Sequence, residues 1–493
     1  MSSHNLSKIS LFGAILLSVT TMIGSGYLFS AQLTANYAGN WSFLAWIFTA
    51  IIVIATGFCY SKVVVKYPVR GATTRISSIS HNNIFAIPFA FANWFGIVVF
   101  VTSEALATVQ YLAGIKSMSW IMHEHKLTHW GIALSAIVLV IYLLINSYGV
   151  KWLTRINNGV TLFKIIVPSI IIFIFLYVSF FDSSTSNFVT KNIPGNVFHF
   201  KDTFIAIVAG GLVYTFNGFQ TIASYASEIE NPKRNIPLAI VISVLVVLLV
   251  YMGLQYAFMQ ALPHQYLVEA GGWRSLNFES PLLQLAAILG LNYIVILLII
   301  NSVVSPSGAG FAYLGSSSRM LYGLAEEGQA PKYFTKINEE FNFSRRSLIA
   351  NFLLTLSFLI FADNWSTLML IVTGFNIIGY MAAPISMGAI FQKTRIYGCI
   401  VFVVLAMILA TLRFNIYMLI MLILLILILI FFIRACQKEG FVKALIYSLP
   451  FPVFMGLLIF VQDYYIKAIL SVVFYMLVTT PKYVAICSKN KLH

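Results

Sequence analysis

The apolar positions of this chain come in long blocks, without the short rhythm that marks half-buried strands or surface helices. Fourteen blocks can be drawn, at 9–33, 42–64, 84–115, 131–150, 157–181, 203–225, 238–261, 281–312, 347–362, 366–391, 397–412, 415–433, 444–461 and 466–485. Most reach the roughly 20 residues that a helix needs to cross a bilayer core. Lipid offers no partner to a bare backbone, and blocks of this length close their hydrogen bonds as helices. The expected fold class is all-α: a polytopic membrane protein with about 14 transmembrane helices.

Composition agrees. Hydrophobic residues make up 60% and charged residues 9% of the 493, whereas a water-soluble domain is about a quarter charged. A soluble enzyme and a disordered chain are both excluded. The net charge of +15 suggests nucleic acid only until the charges are placed. With the N-terminus in the cytoplasm, 22 of the 30 Lys and Arg residues fall in inner segments, 7 in outer ones, and Lys164 within a block. That asymmetry predicts both termini inside, and membrane lipid as the partner of the basic face. Usage of Ile, Asn and Lys points to a bacterial source, hence a cytoplasmic (inner) membrane. Cys59, Cys399, Cys436 and Cys487 lie in apolar blocks or on the inner side, so no disulfide framework is expected. The first block is too long for a signal-peptide core and is read as the first span.

That block is interrupted by Gly24-Ser25-Gly26. Each Gly costs a helix about 1 kcal/mol against Ala, and in lipid an opened turn survives only against protein, water or a ligand. A small-residue contact face is the alternative. Span six is interrupted too, through Gly210-Gly211 and Phe216-Asn217-Gly218. Interruptions five spans apart suit two inverted copies, and paired broken helices point to a transporter's midplane site. A half-helix starting after Gly24 aims N–H groups at an anion such as a carboxylate. The half-helix ending near Phe216 offers carbonyls to an ammonium, and an α-amino acid carries both groups.

The stretch Tyr225-Ala226-Ser227-Glu228-Ile229-Glu230-Asn231-Pro232-Lys233-Arg234-Asn235-Ile236-Pro237 resembles the cytoplasmic signature of amino acid permeases in the amino acid–polyamine–organocation (APC) superfamily. So do the two interrupted runs, Ser318 to Gly323 with Gly328 to Pro331, and Tyr67-Pro68-Val69-Arg70-Gly71-Ala72, where Ala72 replaces a usual glycine. Gly272-Trp273 and Ser305-Pro306-Ser307-Gly308 are similar to the aspartate/glutamate transporter branch, which includes aspartate–proton symporters. The resemblance implies an inverted five-plus-five repeat, with residues 1–181 and 182–392 as the halves and 393–493 as four further helices and a tail. It implies that Ile23, Gly24, Ser25 and Gly26 meet a substrate α-carboxylate, and Tyr214, Thr215 and Phe216, with Asn217 and Gly218, line the amino-group side. Phe216 and Tyr214 are both candidates for the closing aromatic.

Two charges remain deep within blocks, Glu104 in span three and Lys164 in span five. Each costs about 2.5–3.5 kcal/mol to insert at a helix centre, so each calls for a reason. The proton-coupling reading takes both as proton sites. The structural alternatives are snorkelling for Lys164 and an interhelical hydrogen bond for Glu104. By the resemblance, the Lys164 ammonium stands where related transporters hold sodium between helices one, five and eight. A proton-translocating respiratory subunit would spread several buried Lys along its length, and a membrane hydrolase would cluster Asp, His or Ser; neither pattern is present. His123, His125 and His129 near Glu124 read as an exposed loop. No phosphate loop or metal motif occurs, so neither a cofactor nor enzymatic activity is expected. The function expected is secondary active transport of an amino acid by alternating access, proton-coupled symport or exchange. An acidic side chain would want a bidentate Arg, and none lies deep in a span, so a neutral amino acid is expected. Oligomeric state and the role of the last four helices stay open.

Overall fold

The computed structural model describes residues 9–68, 71–147, 150–181, 197–226, 228–338, 344–360 and 364–488, and for 150–158 the backbone alone. Val69, Arg70 and Ser227 of the motifs, and Lys8, Lys191, Lys489 and Lys491 of the charge count, lie outside the described residues.

Among the described residues the chain is helical, apart from an outer two-stranded hairpin, Met122–His123 with Lys126–Leu127. Nine stretches are long and apolar enough to cross a membrane, and eleven if two bent pairs count as single spans. The first of these, Gly26–Lys66, joins the second half of span one to span two, Ser42–Lys66. The bent pairs are spans thirteen and fourteen, Phe441–Ser448 with Pro450–Phe460 at 41° and Tyr464–Val478 with Pro481–Cys487 at 58°. Span six is a series of short helices, and span nine is the 16-residue Arg345–Ile360. The protein is an all-helical, multi-pass integral membrane protein.

Span eight departs from its expected limits of 281–312. Pro281–Ile288 is a separate short helix, and the span proper is Asn292–Glu326. The stop is a Schellman turn at Gly290, whose φ of +69° a side chain would resist. There Leu291 N–H bonds Ala286 O at 2.9 Å and Gly290 N–H bonds Ala287 O at 3.1 Å. Arg319, in the Ser318 to Gly323 run, therefore lies in the last turns of a helix. Span ten divides into Trp365–Tyr380 and Ala382–Ile390. Pro384 has no N–H to offer the Tyr380 carbonyl, which accounts for the break.

Span three, Asn83–Leu112, is buried nearly all round, as expected of a helix apolar on every face. It packs along spans eight and ten. Gly96 of span three lies under Asn376, and Gly379 of span ten lies under Asn93. Small residues let these backbones approach, and Asn93 Nδ2 fastens the contact by bonding Gly379 O at 3.2 Å and Thr73 O at 2.8 Å. This packing holds the middle of span three, and with it Glu104, against span one.

Candidate functional site

Span one opens at residues 23–25. Leu11–Met22 ends at Ile23, which is extended (φ −86°, ψ 93°), and Gly26–Ala38 starts after Ser25. Such a break strands carbonyls on one side and N–H groups on the other. Four of the carbonyls find donors on three different helices, spans five, seven and eight. Lys164 Nζ bonds Thr20 O at 3.1 Å, Tyr313 Oη bonds Thr21 O at 3.2 Å, Tyr251 Oη bonds Met22 O at 2.9 Å and Ser305 Oγ bonds Gly24 O at 3.3 Å. Thr161, one turn before Lys164, joins its hydroxyl to that of Thr20 at 2.7 Å.

The N–H side of the break faces Glu104. Ser25 N–H donates to Glu104 Oε2 at 2.8 Å, Ser25 Oγ to Oε1 at 2.8 Å and Tyr214 Oη to Oε1 at 2.7 Å. Trp365 Nε1 donates to Ser25 Oγ at 2.9 Å, and Ser103 Oγ lies 2.7 Å from the Tyr214 hydroxyl. An ionised Glu104 can take all three of these hydrogen bonds, since a carboxylate only accepts. The carboxylate can come this close because residue 24 has no side chain: a Cβ there would lie 2.7 Å from Oε1. Trp365 is held in turn by Asn364, which caps its helix at Thr367 N, and by stacking on Phe29 at 4.4 Å.

Span six breaks twice. Asp202–Ala209 ends at Gly210-Gly211, with Gly211 at φ +77°, and Leu212–Thr215 ends in a turn that carries Gly218 at φ +123°. Gln220 braces the turn through Gly218 N at 3.0 Å and Asn217 Oδ1 at 2.8 Å, and Tyr380 Oη reaches Asn217 Oδ1 at 3.0 Å. Asn217 Nδ2 is buried with no hydrogen-bond partner. The two breaks touch directly. A Cβ on Gly26 would overlap Thr215, and one on Gly218 would lie 2.7 Å from the Thr21 backbone carbon.

The residues singled out from the sequence thus fall into distinct places. Ser25, Glu104 and Tyr214 form one hydrogen-bonded cluster, with Gly24 beneath it. Gly26, Thr215 and Gly218 are contact points between the spans, and Ile23 is fully buried. Phe216 turns away, edge-on to Trp46 at 6.0 Å and Tyr251 at 5.9 Å, so of the two aromatic candidates only Tyr214 reaches the Glu104 cluster. Lys164 holds the opposite, carbonyl side of the break. Trp365, Ser103, Tyr251 and Tyr313 also serve the breaks and were not anticipated. Their signal was available, because a hydroxyl or indole N–H inside an apolar block, or at its edge as with Trp365, must find a partner.

The amino acid permease family model matches residues 9–481, and the chain belongs to that family, within the APC superfamily. It is a transporter and not an enzyme. Among relatives, the chain is similar to the glutamate/serine transporter AimA of Bacillus subtilis (strain 168), 31% identical over 384 residues that cover 77% of this chain and 70% of that one. It is similar also to the aspartate-proton symporter of the same organism, 29% identical over 388 residues covering 78% and 72%. A more distant relative is that organism's methylthioribose transporter, 19% identical over 350 residues covering 69% and 72%.

Proposed function

We propose that this protein moves an α-amino acid across the membrane by alternating access, as a symporter with a proton. The observation that carries the reading is the pair of breaks in contact. Span one presents the N–H end of a half-helix, its Ser25 N–H held by Glu104, and span six presents the carbonyl end of Leu212–Thr215 beside a turn that carries the unpartnered donor Asn217 Nδ2. A zwitterion needs both an anion seat and an ammonium seat, and dipole ends placed in a dry interior supply them. Spans one to five and six to ten act as the two inverted halves that rock about this point, with both termini in the cytoplasm.

Lys164 is the second functional group. Its ammonium on Thr20 O closes the carbonyl end of span one, and Gly308 of span eight leaves it room, since a Cβ there would lie 3.3 Å from Nζ. Loss of its proton would take the charge out of that hydrogen bond and so weaken the hold of span five on span one. The side chain of the substrate is read as neutral, because the cluster holds no Arg. A second reading, an acidic amino acid, is favoured by the names of the two B. subtilis relatives.

The test is uptake into proteoliposomes containing only this polypeptide, driven by an imposed pH gradient, across the twenty amino acids. Uptake that a protonophore abolishes is expected. Lys164→Ala is expected to insert normally and to lose proton-driven uptake; a variant still driven by the gradient would refute the assignment.

A further inference from the structure

The N–H groups at the start of Gly26–Ala38 already hold a carboxylate, and it belongs to the protein. Glu104 takes the Ser25 N–H, the Ser25 hydroxyl and the Tyr214 hydroxyl, all buried. Under the reading just given, a substrate carboxylate would need the same donors. Gly24 provides room for one carboxylate, not two: even a single added carbon there lies 2.7 Å from Oε1 and 3.0 Å from Oε2. We propose that Glu104 is an internal stand-in for the substrate carboxylate, that the arriving amino acid displaces it, and that the displaced Glu104 takes up the transported proton.

The physical step is an exchange of partners. Here the Glu104 charge is matched by three hydrogen bonds, each charge-assisted. Displacement strips these bonds from a side chain in the middle of a buried helix. An unpaired carboxylate in such a place is too costly to persist and neutralises instead. A proton from the water on the open side binds a Glu104 oxygen, and no substrate bond is made or broken. Substrate and proton then load together, and release reverses both events: when the substrate leaves, Glu104 returns to Ser25 and gives its proton to the other side. The coupling needs no contact between proton and substrate, only one seat contested by two carboxylates.

The groups that face Glu104 are Tyr27 from the second half of span one, Tyr142 from span four, Lys164 from span five, Tyr214 from span six, Tyr251 from span seven and Tyr313 from span eight. Trp365, from span ten, does not titrate. Of the tyrosines, only Tyr214 bonds the carboxylate, which leaves Lys164 as the competing home for the proton.

The inference rests on the transporter reading, and the experiment separates the two. The full chain in detergent is screened by thermal shift against the twenty proteinogenic amino acids, and the strongest binder is titrated calorimetrically in phosphate and in Tris. A chain that binds none of them overturns the proposed amino acid symport itself. With binding, the expected result is uptake of one proton per amino acid, and an affinity that tightens about tenfold for each pH unit lowered. A protonated-carboxyl band is expected to appear in the infrared difference spectrum on binding. Glu104→Gln is expected to bind without uptake, without the band and without pH dependence. Binding to the native chain without uptake, or uptake that survives in Glu104→Gln, overturns the proposal; the second result places the proton elsewhere, Lys164 first. A measurement independent of the variant is titration of the native chain with the carboxamide of the same amino acid. The carboxamide cannot replace a carboxylate, and full proton uptake with it also overturns the proposal.

Discussion

At the scale of single residues, the site depends on what position 24 lacks. A glycine inside a membrane span is usually tolerated at a modest loss, and replacing it by Ala recovers about 1 kcal/mol of helix propensity. Gly456, in Pro450–Phe460, is such a case, because a Cβ there meets nothing within 4 Å. Gly456→Ala is expected to leave amino acid binding unchanged and to hold or raise the melting temperature. Gly24→Ala should do the reverse. Its methyl group would press on all three terminal atoms of Glu104, with contacts of 2.7 to 3.0 Å. The carboxylate must swing off Ser25, and the methyl then blocks that seat to a substrate carboxylate as well. A loss of binding of at least about tenfold is expected, the worth of one charge-assisted hydrogen bond, together with a lower melting temperature. Binding isotherms and thermal shift on the two variants check this; equal behaviour of Gly24→Ala and Gly456→Ala would remove Gly24 from the site.

At the scale of elements, two helices are broken where they meet. Gly218 shows why the second break cannot be closed by substitution. Its φ of +123° is one that an L side chain resists at about 1–3 kcal/mol. Its Cβ would also lie 2.7 Å from the Thr21 backbone and 2.8 Å from the Tyr313 hydroxyl. Gly218→Ala is therefore expected to force spans one and six apart and to abolish uptake in proteoliposomes, with reduced yield of folded protein. Uptake near the native rate would mean that the contact of the breaks is dispensable. Both interruptions were legible in the sequence, since Gly and Asn in apolar blocks have few structural uses, and Glu104 and Lys164 stood out by their cost. Hydropathy could not show that the start of span eight is a separate helix, because Leu289-Gly290-Leu291 is as apolar as a span and only the φ of Gly290 ends the turn. Nor could the pattern show that Glu104 reaches span one, which depends on the rotation of span three. The choice between Tyr214 and Phe216 was hidden for the same reason. Two residues apart on a helix, they point to different neighbours, and only packing tells which one faces Glu104.

For the whole molecule, the question is how the last helices are fastened to the ten spans that hold the site. Besides its bonds to span thirteen, span fourteen is joined among the described residues by three ties to earlier elements. Tyr475 Oη bonds Pro384 O at 3.0 Å, Arg395 bonds Met476 O at 2.6 Å and Thr479 Oγ1 at 2.9 Å, and His81 Nε2 bonds Val478 O at 3.0 Å. His81 lies between the short helix Ala72–Ser80 and span three, stacked on Phe85 at 4.3 Å, with Nδ1 2.8 Å from Ser80 Oγ. A carbonyl only accepts, so Nε2 carries the hydrogen. Burial holds the ring down to about 4 from its ordinary 6.5, against a smaller opposing effect of the Val478 hydrogen bond. The unfolded chain then binds a proton that the folded chain refuses, so this contribution is complete above pH 6.5 and is lost as the pH falls toward 4. At pH 5 the loss is about 2 kcal/mol, which should loosen span fourteen first. Hydrogen exchange of the detergent-solubilised protein, compared between about pH 7.5 and about pH 5 after correction for the intrinsic rate, should show Pro481–Ser488 deprotected at the acid value by about thirtyfold. His81→Gln keeps a donor for Val478 O but cannot titrate, and its exchange in that segment should be the same at both pH values. Equal acid deprotection in the variant would show that His81 is not the tie that acid releases.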